Sequence, residues 1–185
     1  MKNVRPTMLI MLVAAVPVAA SAQAPEATDI LASEIETVRQ TLGPSIDQQI
    51  KIADIGDGNV AVGVLHRGTL EDSGGLPSGL VHSEVSEVYY ILSGGGTLVT
   101  GGSTNQVRQL PPESAAVQTL IGPSYFATSE GGRVREISEG DIVVIPAGLF
   151  HAWSEIPDHV TYLSIRPDPD RTLPAGYTHP SLGSN

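Results

Sequence analysis

The strongest constraint on this chain is a two-residue apolar rhythm, carried by short segments with glycine or proline between them. Ile50 and Ile52, then Val60, Val62 and Val64, recur at every second position on either side of Gly56-Asp57-Gly58-Asn59, which has the chemistry of a hairpin turn. Period two sends successive side chains to opposite faces, so each segment reads as a strand with one face buried. A glycine-rich stretch at 74–79 leads into a strand over 81–92. Gly94-Gly95-Gly96 reads as a turn into a strand over 97–100, and further strands are expected at 142–145, 150–155 and 161–165. Pro146-Ala147-Gly148 supplies another turn. With 20 Gly and 14 Pro in 185 residues, long helices are excluded over most of the chain. Short strands at near-regular spacing predict an all-β barrel or sandwich.

Three stretches break the rhythm. Residues 23–45 predict one amphipathic helix: Asp29 is the candidate N-cap, Leu31, Ile35, Val38 and Leu42 share a face, and Gly43-Pro44 is a stop signal. Glu34 and Glu36 diverge on that helix and read as a solvated face rather than a carboxylate pair. Residues 101–133, with Pro111-Pro112 and Gly122-Pro123, are too long for a hairpin loop and predict an insertion packed over one barrel end. Residues 167–185, with four prolines, predict an extended tail. The barrel domain is then expected over 46–166.

At the start, Lys2 and Arg5 precede an apolar run over 8–19 and the small residues Ala20-Ser21-Ala22, which reads as a secretory signal peptide over 1–22 cleaved after Ala22. The run is shorter than a spanning helix needs. Cleavage removes both of those basic residues and takes the formal net charge from −10 to −12. The expectation is a periplasmic or secreted protein with no stable membrane insertion after cleavage. Such an acidic surface lacks the phosphate attraction of nucleic-acid binders, so nucleic acid is excluded as a partner. The absence of Cys excludes disulfides, thiolate metal sites and Cys nucleophiles.

Two of the five histidines stand in informative company. His82 and Glu87 lie between Gly74 and Gly94, and Tyr89 shares the strand face of Glu87 by alternation; far downstream, Gly140, Pro146, Gly148 and His151 follow in order. In these two groups the chain resembles the cupin superfamily. The first cupin pattern, glycine, His-x-His, glutamate and glycine, falls on Gly74, Leu80, His82, Glu87 and Gly94, with Leu80 where the first His belongs. The second falls on Gly140, Pro146, Gly148 and His151, with Glu155 where Asn is frequent. The resemblance covers residues 50–165. It implies a double-stranded β-helix, the cupin or jelly-roll barrel of two antiparallel sheets, here with one N-terminal helix. It further implies a divalent metal held inside by His82, Glu87 and His151, and self-association as a homodimer.

Two imidazoles and one carboxylate suit divalent Fe, Mn, Zn, Ni or Cu and leave coordination positions free. The leading expectation is an enzyme acting on a small oxygen-rich metabolite, as a dioxygenase, lyase or isomerase; fold does not choose among these. Because Leu80 replaces a ligand, the alternative is a metal-free barrel that binds a sugar or other small molecule, and a third reading is a purely structural secreted domain. Tyr89 and Trp153 are candidate pocket walls, although inward aromatics are more often simply core. His66 extends the Val60, Val62, Val64 face and is a candidate lining residue with a structural role as its rival. Glu84 could pair with His82 in a shifted register but ranks below Glu87, since that register spoils the spacing. Metal release is expected as pH falls through about 6 to 7, where imidazole takes up a proton.

Overall fold

The computed structural model describes residues 26–43 and 45–183; the signal peptide expected at 1–22 lies outside them. A helix, α1 (Ala32–Arg39), is followed by a hairpin of β1 (Asp47–Asp54) and β2 (Asn59–Arg67), then β3 (Ser78–His82), β4 (Glu87–Thr100) and β5 (Ser103–Gln109). A short wide-turned helix, α2 (Ala116–Ile121), precedes β6 (Ser124–Glu130), β7 (Arg133–Ser138), β8 (Ile142–Ile145), β9 (His151–Glu155) and β10 (Val160–Asp168). Every strand pairing is antiparallel. One sheet runs β1-β2-β10-β4-β8 and the other β7-β4-β9-β3-β6-β5. Their inner faces meet in one apolar cluster, where Leu65, Tyr89, Ile91 and Tyr162 of the first sheet pack with Leu98, Ile137 and Trp153 of the second.

The two sheets share β4, and this is where the expected turn at Gly94-Gly95-Gly96 is corrected. The three glycines continue the strand: the half before them pairs with β10 and β8, the half after them with β7 and β9. A Cβ on Gly95 would stand 2.3 Å from the Ile137 carbonyl oxygen, and one on Gly96 2.3 Å from that of Glu155. Only a strand bare of side chains bends here while neighbours close in on both sides. The strand expected over 81–92 is also two elements, because residues 83–86 leave β3 and re-enter at β4.

The N-cap of α1 is Leu31 rather than Asp29. The Glu34 carboxylate accepts the Leu31 amide at 3.0 Å, half of a capping box. The same carboxylate receives Lys51 Nζ of β1 at 2.7 Å, so Glu34 ties the helix to the sheet, while Glu36 pairs with Arg39 within the helix. Val38 packs with Ile50 and Val64 on the outer face of the first sheet. Residues 101–133 contain β5, α2 and β6, and β6 is hydrogen-bonded along β3 as an integral wall strand. The chain after β10 folds back along β1: the Tyr177 carbonyl accepts the Ile52 amide, the His179 amide donates to the Ile50 carbonyl, and Leu173 is buried. No helix among the described residues is long and apolar enough to cross a membrane.

Candidate metal centre

His82 ends β3, Glu87 opens β4 and His151 opens β9, and the fold brings all three together although they are up to 69 residues apart in sequence. Nε2 of His82 lies 3.2 Å, and Nε2 of His151 3.3 Å, from the same carboxylate oxygen, Glu87 Oε2. The imidazole centroids are 4.9 Å apart, and all three side chains are buried.

The surrounding hydrogen bonds fix which atoms face inward. His151 Nδ1 meets the Leu149 carbonyl at 3.1 Å; a carbonyl only accepts, so this nitrogen carries the proton. His82 Nδ1 meets Ser124 Oγ at 2.8 Å, and the hydroxyl proton of Ser124 is directed to the carbonyls of Gly122 and Ile121, so His82 Nδ1 is the donor as well. In its neutral form each ring therefore presents an Nε2 lone pair to the centre. On Glu87, Oε1 accepts Ser164 Oγ at 2.7 Å and Arg166 Nε at 2.9 Å, while Oε2 accepts the Tyr89 hydroxyl at 3.1 Å and keeps one lone pair free.

Three lone pairs thus converge on one point with no proton between them, an arrangement that repels itself unless a cation occupies the centre. The dimensions suit a metal ion. Ligands about 2.0–2.1 Å from a tetrahedral ion stand roughly 3.4 Å from one another, close to the observed contacts. The three residues could hold such an ion, with Glu87 as a monodentate ligand. Leu80, half-buried and paired across to His151, lines the adjoining space, so the position of the family's fourth ligand carries no donor.

Burial pushes the His82 imidazole below its usual pKa, despite the opposing pull of the Glu87 carboxylate, which keeps its lone pair available at neutral pH. For Glu87, burial pushes upward, but the surrounding groups, the two imidazoles and the Arg166 guanidinium, outweigh it and hold the carboxyl well below the usual range. Burial, reinforced by the Glu87 charge, holds Tyr89 well above the usual phenol value, so it is a hydrogen-bond donor only.

A cavity of about 480 Å³ opens from these three residues. Tyr89 and Trp153 line it, as the sequence suggested, and both also belong to the core. His66 does not: it lies in a separate groove outside the barrel against α1, with Nδ1 2.8 Å from Thr161 Oγ1 and its ring stacked 5.8 Å from His159. The alternation correctly joined His66 to Val64, but that face is the one α1 covers. Glu84 is exposed in the β3–β4 connection, accepts the Thr172 hydroxyl, and does not line the cavity.

The sequence reading missed Arg166. It is fully buried and binds Glu87, Gln49 Oε1 at 3.0 Å and Asp47 Oδ2 at 2.6 Å. A signal was present, because Tyr162, Ser164 and Arg166 alternate onto one face. Asp47 and Arg67 of the cavity wall, and Ser124 behind His82, were missed too, and Ser124 carries no local sequence signal.

No curated protein matches the chain. Among solved structures, a protein from Bacillus halodurans is 15% identical, over 82% of this chain and 87% of that one, with a TM-score of 0.39. The DMSP lyase DddQ from Ruegeria pomeroyi is 18% identical over 70% of this chain, with a TM-score of 0.37, and the match spans about half (47%) of the lyase. The EutQ protein of Clostridium difficile is 13% identical, over 67% of this chain and 69% of that one, with a TM-score of 0.35. The family model described as Cupin matches residues 59–177, β2 through the returning tail, and the chain belongs to that family.

Proposed function

We propose that this protein is an exported, divalent-metal-binding cupin that acts enzymatically on a small oxygen-rich molecule in the cavity beside His82, Glu87 and His151. The observation that carries the reading is the convergence of three proton-free lone pairs, each fixed by a hydrogen bond on its far side. When bound, the cation supplies a Lewis acid for a substrate oxygen. The chain's own residues do the rest. Arg166 and Ser164 orient Glu87, Ser124 and the Leu149 carbonyl set the imidazole tautomers, and the Tyr89 hydroxyl, in the cavity wall, donates to Glu87 Oε2 at 3.1 Å. Leu80, Leu110, Leu120 and Phe126 form an apolar wall to that cavity. Export rests on the leader-like residues 1–22.

The test is metal analysis of the purified protein after exposure to Mn, Fe, Ni, Cu or Zn, with H82A, E87Q and H151A as controls. About one ion per chain in the native protein, lost in each variant, is the expected result; no uptake of any of these ions ends the proposal. Mass analysis of periplasmic and secreted fractions tests export, where a chain beginning at Gln23 is expected. A metal-free binding module is the second reading, favoured by Leu80 in a ligand position, and predicts small-molecule binding indifferent to chelator.

A further inference from the structure

Arg67 closes β2 and stands in the cavity wall beside Leu65. Its Nε donates to the Tyr162 hydroxyl at 3.1 Å, and among the described residues its two Nη groups have no hydrogen-bond partner and no carboxylate within ion-pairing distance. A guanidinium held by one nitrogen, with its other two free toward an enclosed space, is a fork for a planar anion.

The charge balance points the same way. Asp47 and Glu87 share a single counterion, Arg166, and Arg67 brings the four groups to neutrality. With the metal reading of the preceding section, on which this inference rests, a divalent cation between two neutral imidazoles leaves two positive charges uncompensated in the cavity. Its complement is a ligand with negative charge at both ends.

We propose that the cavity takes a small organic acid, its carboxylate gripped end-on by the free nitrogens of Arg67 and its other oxygen-bearing end directed at His82, Glu87 and His151. One guanidinium with no second cation beside it matches a singly charged carboxylate better than a doubly charged phosphate. The ends are set apart. Tyr162, which Arg67 binds, packs tilted against Tyr89 with ring centroids 4.5 Å apart, and the Tyr89 hydroxyl binds Glu87, so two aromatic rings intervene, a span on the order of 10 Å. Leu65, Leu70 and Trp153 also line the cavity and suit a short carbon chain. Arg67 is then the residue that selects acids, and chain length is selected by the separation of the two ends.

The experiment is calorimetric titration of the zinc-loaded full chain with glutarate, with its uncharged diamide and with inorganic phosphate, using wild type, R67Q, R67K and, as an outside control, R39Q, with zinc content measured on every sample. Glutarate is expected to bind wild type and R39Q alike, roughly 10- to 100-fold more weakly to R67Q, and with intermediate strength to R67K, where charge remains without the fork. The diamide is expected to be indifferent to residue 67. Equal glutarate affinity in wild type and R67Q, no glutarate binding by wild type, or tighter Arg67-dependent binding of phosphate than of glutarate would each overturn the proposal. Should R67Q fail to fold, R67K binding glutarate as tightly as wild type would overturn it. A wild-type sample without zinc refutes the metal reading separately, while Arg67-dependent glutarate binding in that same sample still upholds the acid-binding end.

Discussion

Replacing Arg166 with Met tests whether the ligand geometry is held from behind. Arg166 is fully buried and makes three charged hydrogen bonds, to Glu87 at 2.9 Å, Asp47 at 2.6 Å and Gln49 at 3.0 Å. Met fills similar volume but leaves Glu87 and Asp47 as carboxylates without a counterion, where water has little access. Breaking a buried pair by removing one partner costs about 3–5 kcal/mol. With a urea dependence of about 2 kcal/mol/M for a domain of this size, the unfolding midpoint of metal-free R166M should fall by about 1.5–2.5 M. Most of that cost is the orphaned charge rather than lost packing, so adding E87Q should restore part of it. The R166M and E87Q effects should therefore fail to add by about 1–3 kcal/mol. Urea titrations of wild type, both single variants and the double variant, all stripped of metal, measure this. A midpoint for R166M within about 0.5 M of wild type, or strict additivity with E87Q, would refute the reasoning.

Other expectations follow from the same geometry. Leu80→His restores a donor beside His151 and should tighten metal retention at least about 10-fold, measured by competition with a chelator; unchanged retention would show that position 80 does not face the ion. Gly95→Val places side-chain carbon 2.3 Å from the Ile137 carbonyl oxygen and should lower stability by about 3 kcal/mol or more, read as soluble yield and melting temperature. Because the folded His82 pKa is lowered, the unfolded chain takes up its proton first. Metal-free stability should therefore decline as pH falls from about 6.5, with a slope from this group of at most about 1.4 kcal/mol per pH unit, and the slope should weaken in H82N. Glu87 acts in the same direction at lower pH, its contribution being lost as pH falls below the ordinary carboxylate range. Leu120→Ala opens the apolar wall and should change ligand preference more than metal content, compared by titration and metal analysis.

The meeting of His82, Glu87 and His151 was legible in the sequence because spaced motifs survive in one dimension, while the support around them was not. His66 shows one limit: period two told which residues share its face, but only the packing of α1 on Ile50 and Val64 decides that this face lies outside the barrel. Gly94-Gly95-Gly96 shows another. Local composition is the same for a reversal and for a bend, and the neighbours that force the bend, Ile137 and Glu155, are far away in sequence. Strand β5 escaped because all seven of its residues are exposed, which erases any apolar period. Strand β6 escaped because the buried positions include Ser124 and Ser129, polar residues satisfied by backbone carbonyls, of Gly122 nearby for Ser124 and of Gly101 far away in sequence for Ser129. Arg166 lies one residue before Pro167, where a strand is easily read as finished, and nothing local reveals that Asp47, Gln49 and Glu87 wait for it.

The central claim is that one cation joins side chains from β3, β4 and β9, and an anomalous-scattering map from crystals grown with Mn or Zn examines it most directly. A single peak about 2.0–2.2 Å from Nε2 of His82, Nε2 of His151 and Oε2 of Glu87 is the expected result. No peak among these three atoms at saturating metal, or a peak elsewhere in the molecule, would contradict the account.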